Sequence, residues 1–356
     1  MFNLLLEFLP PKLLHERTED YLKRKASKRK ESFYCRALAG ESNFNICINS
    51  DLTVSCNCQD FDGLGRIGDL NDQTFEQIFN GAIAHNFRET LAAGNFPIPI
   101  CAHCEDLMTA PKANIDNFLT NYRLPHKGIM LENTALCNLR CHMCKRESLL
   151  QLRKKRLNLS LDEVDKVALL LREHNIKSLY FFNLGEPFLP ANVYDQISII
   201  RKHNPDIRII TSTNGQLLDR EDKLEAALLM DYIYISLDGV SQETVGKYQV
   251  GGSFEKAYQN MLNLCELKRQ RGKTTPIVEW KYVVFRWNDK PEHIRKAHQL
   301  AEKAAVDLIA FYPGSTTPLS RSYRWLYHPF FKKLGENVNG GRIVNLNNIP
   351  KHLLSP

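Results

Sequence analysis

From Gly128 onward the chain alternates strand-like and helix-like stretches six times, and this periodicity restricts the fold more than any other feature of the sequence. Runs rich in β-branched and aromatic residues at 128–133, 178–182, 207–212, 232–237, 278–285 and 307–312 predict strands. Helical spacing covers 161–173, 192–202, 220–230, 253–271 and 290–305. The first of these helices opens on Ser160 with Glu163 three residues later, a capping box in which each residue satisfies the other's free backbone N–H. A parallel crossover needs a dozen or more residues, usually a helix, so this order predicts an α/β fold with a parallel sheet.

In barrels built this way, chemistry gathers at the C-terminal ends of the strands. Directly after the first strand come Cys137, Cys141 and Cys144, spaced C-x3-C-x2-C. Iron-sulfur clusters are held by Cys thiolates, four to a cubane, so three clustered thiols leave one iron open to a small ligand. With His142 added, the same loop also offers the four N or S ligands of a zinc site. The second strand runs into Asn183-Leu184-Gly185-Glu186-Pro187, the third into Ser212-Thr213-Asn214-Gly215 and the fourth into Ser236-Leu237-Asp238-Gly239. Asn-Gly and Asp-Gly are common turn formers in their own right.

The Cys spacing resembles the radical SAM signature, and the motifs after strands two to four fall in the order that family shows. The resemblance implies a partial, laterally open (β/α)6 barrel over 127–315. It also implies a 4Fe-4S cluster on Cys137, Cys141 and Cys144 whose open iron chelates S-adenosylmethionine. Reductive cleavage of that cofactor would give a 5′-deoxyadenosyl radical that takes a hydrogen atom from substrate. Met143 stands where the family usually has an aromatic residue against the adenine; a polarizable thioether can cover a flat ring as well. Gly185, Glu186 and Pro187 resemble a GGEP motif whose first Gly is Leu184, and imply a site for the methionine amine. Ser212, Asn214, Ser236 and Asp238 imply contacts to the carboxylate and ribose.

Six further Cys lie between 35 and 104: Cys35, Cys47, Cys56, Cys58, Cys101 and Cys104. A hairpin over 46–54 delivers Cys56 and Cys58, a helix over 74–91 follows, and Cys101-x2-Cys104 closes the stretch. This stretch resembles the SPASM or twitch module, an auxiliary-cluster unit that generally follows the barrel and here precedes it, over 31–110. The resemblance implies an auxiliary iron-sulfur cluster on Cys35, one of Cys56 and Cys58, Cys101 and Cys104, with three or four Cys ligands. The same pairs read equally as a zinc ribbon. Cys47, amid apolar neighbours, reads as a small core residue, and Cys265, on an apolar helix stripe, as packing.

The remaining segments are an apolar start and basic arm over 1–30, a linker over 111–126 and an extension over 316–356. Six of the eight residues from Lys23 to Lys30 are basic, which accounts for much of the net charge of +7 and reads first as a solvated helix face. No long apolar run predicts a membrane span, the start lacks the features of a secretion signal, and ten Cys in such a chain suit metal ligation in a reducing cytoplasm. Trp280, Trp287 and the aromatics at 323–327 read as core or cleft wall, and Arg286 and Asn288 as cleft-facing. The functional expectation is a radical enzyme acting on a peptide or small molecule, sugars included, and fed by a flavodoxin- or ferredoxin-like one-electron donor. The alternative from another class is a zinc protein that binds nucleic acid through the basic arm.

Overall fold

The computed structural model describes residues 11–142, 144–153, 156–314, 320–338 and 340–353. It divides into two compact units, Met1–Ala135 with Arg146–Asn183 and His203–Ile207, and Leu136–Lys145 with Leu184–Lys202 and Arg208–Pro356. Among the described residues, no helix is long and apolar enough to cross a membrane.

In the first unit, strands β1 (Glu31–Cys35), β2 (Cys47–Ile48), β3 (Thr53–Ser55), β4 (Arg66–Asp69), β5 (Leu107–Pro111), β6 (Gly128–Leu131) and β7 (Ser178–Tyr180) form in chain order. β6 and β7 pair in parallel, as the strand-helix alternation requires. β2 adds to the other edge of β6, also in parallel, and continues antiparallel through β3 to β4. The Cys-bearing hairpin therefore extends the sheet on the free edge of β6. Gly128 makes this possible: a Cβ there would lie 2.0 Å from the Asn43 carbonyl oxygen and 3.0 Å from that of Ser178.

Several expectations for this unit need correction. The helix expected over 74–91 is two, Phe75–Phe79 and Ala82–Ala92, because Asn80 and Gly81 end the first and begin the second. The first starts on a capping box between Thr74 and Gln77. The last residues expected in the Cys-rich module form β5, which pairs antiparallel with β1 and ends at Pro111, where the linker was expected to begin. The basic stretch does form the end of a helix, Pro11–Lys28, as its reading as a helix face expects, with Ala26 buried against Phe33 and Leu91. Its Lys23 is paired with Glu19 at 2.7 Å, so the charge run is the outer face of a packed helix.

In the second unit, β8 (Arg208–Thr213), β9 (Tyr232–Ser236), β10 (Ile277–Val284) and β11 (Leu308–Pro313) pair in parallel in that order. An antiparallel hairpin, β12 (Glu336–Val338) and β13 (Gly341–Asn345), closes the edge beside β11, an element the sequence did not announce. One face of the four parallel strands packs on helices. There Trp280, Tyr282 and Phe311 are fully buried, Trp280 meets Tyr258 of the helix Phe254–Gln270, and its indole N–H donates to the Leu237 carbonyl at 2.7 Å. Each such ring contributes roughly 1.5–3 kcal/mol of burial. Cys265 is buried in the same helix, as packing predicts. Asn288 does not face a cleft: it is fully buried, accepting from the Phe285 N–H at 2.6 Å and donating to the carbonyls of Asp238 and Val283 at 2.9 Å. Tyr323 and Tyr327 are exposed, so they are not part of the core.

The opposite face is polar. In register across β9 and β10 it carries Tyr232, Tyr234 and Ser236 beside Glu279 and Lys281. Glu279 is 0% exposed; one oxygen accepts from the Tyr232 hydroxyl and the other, Oε1, has no partner among the described residues. Burial pushes its carboxyl up to about 7. A folded-state value above the unfolded one means the native chain holds a proton that the unfolded chain has released. Stability from this group is thus complete at acid pH and declines as pH rises from the ordinary carboxyl range through about 7. Glu279→Gln removes the ionisation while leaving an acceptor for Tyr232. In urea denaturation its stability relative to wild type should climb between pH 5 and pH 8 by about 3 kcal/mol at most; parallel profiles would show that Glu279 ionises freely in the fold.

Candidate active site and a second thiol cluster

The Cys triplet lies on a loop of the second unit, and backbone bonds fix both ends of that loop. The Glu186 N–H donates to the Leu136 carbonyl at 2.8 Å, just before Cys137. Further along, the N–H groups of Arg140 and His142 donate to the carbonyls of Val250 and Tyr248 at 3.0 and 2.9 Å. The Tyr248–Gly252 segment thus braces the loop, a role the sequence reading missed. The available signal was the Gly251-Gly252 pair: Gly251 has φ +89° and lies against Leu139 of the loop.

Cys137, Cys141 and Cys144 are all half-exposed. The Cys141 thiol is pushed up to about 12 by burial first, then by Cys137, Cys144 and Asp238 around it. Such a thiol stays protonated until a cation offsets the accumulated negative charge, and a coordinating metal does so outright. Asn214 reaches the loop from the end of β8: its side-chain amide donates to the Cys137 sulfur at 3.8 Å and to the Asn138 side-chain oxygen at 2.9 Å. Amide bonds to ligating sulfurs are among the levers that set a cluster's potential. Met143 lies outside the described residues.

The acidic residues correct the sequence reading. Glu186, expected as an open acceptor for an ammonium group, is 2% exposed. Its carboxylate accepts from the Thr213 hydroxyl at 2.7 Å, the Asn214 N–H at 2.9 Å and the Phe188 N–H at 3.2 Å, and burial raises its pKa. A carboxylate has about four lone-pair positions, so three are committed inside the fold. Asp238, expected to meet ribose hydroxyls, is also buried, accepts from the Val283 N–H at 2.7 Å and is pushed by burial up to about 7. Ser212 and Ser236 are half-buried at the ends of β8 and β9, as is Gly185, while Pro187 is buried in the turn.

The first unit assembles the other thiols. Cys35, Cys56, Cys101 and Cys104 line one cavity whose remaining wall includes Phe87, Leu91, Ile98 and Ile100. Cys101 and Cys104 are brought together by the single turn Pro99–His103, with the Cys104 N–H on the Cys101 carbonyl at 3.3 Å. Cys35 ends β1, opposite Leu107 of β5. Asp106 pins this corner, accepting from Arg36 at 2.9 Å and Asn45 at 2.8 Å. Burial raises all four thiols, Cys101 to about 11. Cys58 is outside that cavity lining, and the charges that act on it are those of Cys104, Glu105 and Asp106. Of the Cys56 and Cys58 pair left open by sequence, the structure groups Cys56 with the others.

Cys47 is buried, but its surroundings are polar, not apolar. Its thiol donates to the Asn49 side-chain oxygen at 3.4 Å and accepts from the Asn183 amide at 3.5 Å. Asn183 also donates to Glu132, which is ion-paired with Arg153 at 2.9 Å, the two side chains 0% and 5% exposed. This network at the end of β6 has no periodic signature and was not foreseen.

Residues 132–278 match the family model described as the Radical SAM superfamily. A tungsten-containing aldehyde ferredoxin oxidoreductase cofactor-modifying protein of Pyrococcus furiosus is 28% identical over 46% of this chain and 45% of its own. A probable GTP 3′,8-cyclase of Methanococcus maripaludis is 29% identical over 40% of this chain and 46% of its own. The chain spans less than half the length of these curated relatives. Among solved structures, native anSMEcpe with bound AdoMet aligns with a TM-score of 0.39 at 19% identity, over 52% of this chain and 50% of that one.

The position of Glu186 yields a stability test. Glu186→Ala strands the Thr213 hydroxyl and two backbone N–H groups in the interior and should cost about 3 kcal/mol, since each buried donor left unpaired costs ~1–3 kcal/mol. Chemical denaturation of the full chain measures this; an unchanged midpoint would mean that the carboxylate serves only a ligand.

Proposed function

We propose that this chain, whose residues 132–278 form a radical SAM superfamily domain, is an enzyme that cleaves S-adenosylmethionine reductively at a 4Fe-4S cluster held by Cys137, Cys141 and Cys144. The observation that carries the reading is the thiol triplet on a single braced loop, inside the matched residues and beside the strand-end residues Asn214 and Asp238. The donor set fits the group: three soft sulfur ligands gathered on one loop. When bound, the cluster supplies the electron that opens the cofactor's carbon-sulfur bond, so that a hydrogen atom is drawn from substrate.

The chain's own residues then have distinct tasks. Cys137, Cys141 and Cys144 ligate, and Asn214 donates an N–H to the Cys137 sulfur and fixes the loop against the end of β8. Glu186 holds Thr213 and Asn214 in place, so the Gly185–Pro187 turn meets the methionine amine through its backbone instead of through this carboxylate. Ser212 and Ser236 supply hydroxyls for the cofactor's carboxylate and ribose. Asp238, already committed to the Val283 N–H, orients β10 against β9 and offers its remaining acceptor capacity to the ribose.

In the first unit, Cys35, Cys56, Cys101 and Cys104 would hold an auxiliary iron-sulfur cluster, with Cys58 beside them. The substrate class is a peptide or a small molecule, and a flavodoxin- or ferredoxin-like donor supplies the electrons.

Anaerobic reconstitution tests both assignments. Two 4Fe-4S clusters would give about eight irons per chain. The reduced wild type should release 5′-deoxyadenosine from S-adenosylmethionine, and Cys141→Ala should abolish release. The pair Cys101→Ala and Cys104→Ala should lower iron to about four per chain. A colourless protein that binds zinc in place of iron would overturn the reading.

A further inference from the structure

The polar face of the second unit's sheet is layered along the strand direction, and the layers differ in charge balance. In the layer nearer the strand starts, Arg208 lies over the Tyr232 ring at 6.0 Å and the Tyr232 hydroxyl bonds to Glu279, so a cation and a carboxyl share the level. Two residues further along β10, a rise of about 6.6 Å, is Lys281. It lies in register with Ser236 of β9 and Ala310 of β11, on the same face as Tyr234 and Tyr312.

The Lys281 ammonium sits 5.6 Å from the centroid of each of these two rings. Ring faces hold a cation with roughly 0.5–2 kcal/mol each but leave its N–H donors unsatisfied. Among the described residues, no carboxylate lies within 4.0 Å of it: Glu279 and Asp238, the acids of this face that feel its charge, bond instead to the Tyr232 hydroxyl and the Val283 N–H. A half-buried ammonium fixed by two rings, with no carboxylate in contact with it among the described residues, is a preorganised counter-charge.

We propose that Lys281, held between Tyr234 and Tyr312, binds an anionic group of the substrate, a phosphate or a carboxylate, and so restricts the enzyme to negatively charged substrates. This rests on the reading of the chain as a radical enzyme, and it names the substrate class that reading leaves open. The two tyrosines position the ammonium and present aromatic faces to the part of the substrate next to the anion. Lys281 thus orients the substrate by one end, so that the other end projects toward the strand termini where Asp238 and the Cys loop lie.

The test measures anion binding on the reconstituted full chain by calorimetry, with inorganic pyrophosphate and glutarate as separate probes, with and without saturating S-adenosylmethionine. Lys281→Gln should weaken the preferred probe at least tenfold and Lys281→Arg should restore it to within about threefold; iron content and thermal midpoint report whether each variant is folded. Whichever probe shows the dependence identifies the source of the anion. Equal affinity of wild type and Lys281→Gln for both probes overturns the proposal. So does competition between the probe and S-adenosylmethionine, which would give Lys281 to the cofactor's own carboxylate. Should Lys281→Gln not fold, Lys281→Met, which keeps the apolar stem between the rings, takes its place. Failure of the wild type to release 5′-deoxyadenosine would count against the radical reading alone, because the anion measurement does not depend on turnover.

Discussion

A single buried carboxylate organises the candidate site. Glu186 lies where three segments meet: its backbone N–H closes on Leu136 before the Cys loop, and its side chain gathers Thr213 and Asn214 at the end of β8 and Phe188 in its own turn. Asn214, held in this way, reaches on to the Cys137 sulfur. Placing a charge-bearing group in the interior costs free energy unless its acceptors are satisfied, and here three donors satisfy it. The position of the Cys loop is thus set from beneath by hydrogen bonds, a firmer support than contacts between loops would give.

How much of the fold could be read from sequence depended on the range of the forces involved. The six parallel strands β6 to β11 and their helices lie within a residue or two of the expected bounds, because periodicity and caps such as Ser160 with Glu163 are local. The pairing of β1 with β5 brings together residues more than seventy positions apart, and nothing local announces it. The parallel addition of β2 to β6 was hidden for the same reason, and β2 is only two residues long. The break at Asn80-Gly81 was legible in composition and was overridden by the apolar spacing on either side.

The site divides along a similar line. The candidate ligands stand out through type and spacing, since three thiols on one loop have few structural uses. Burial did not declare itself. Glu186 and Asp238 fall in motifs that suggest ligand contact, yet each lies inside the protein, Glu186 with both oxygens hydrogen-bonded and Asp238 with one, and desolvation raises the pKa of both. The Tyr248–Gly252 brace and the Cys47–Asn183–Glu132–Arg153 network carry no motif, and only the folded chain brings their members together.

The two-residue strand carrying Cys47 has a bearing on how this protein can be dissected. Because it hydrogen-bonds to the flank of β6, the Cys-rich stretch cannot be cut away as a free-standing cassette. Excision would strip β6 of its neighbour and leave a raw hydrophobic margin, with Ile129 and Leu131 fully buried in the intact fold, open to pairing with other chains. Cysteines of this stretch can be replaced one at a time with the hairpin left in place as the neighbour of β6.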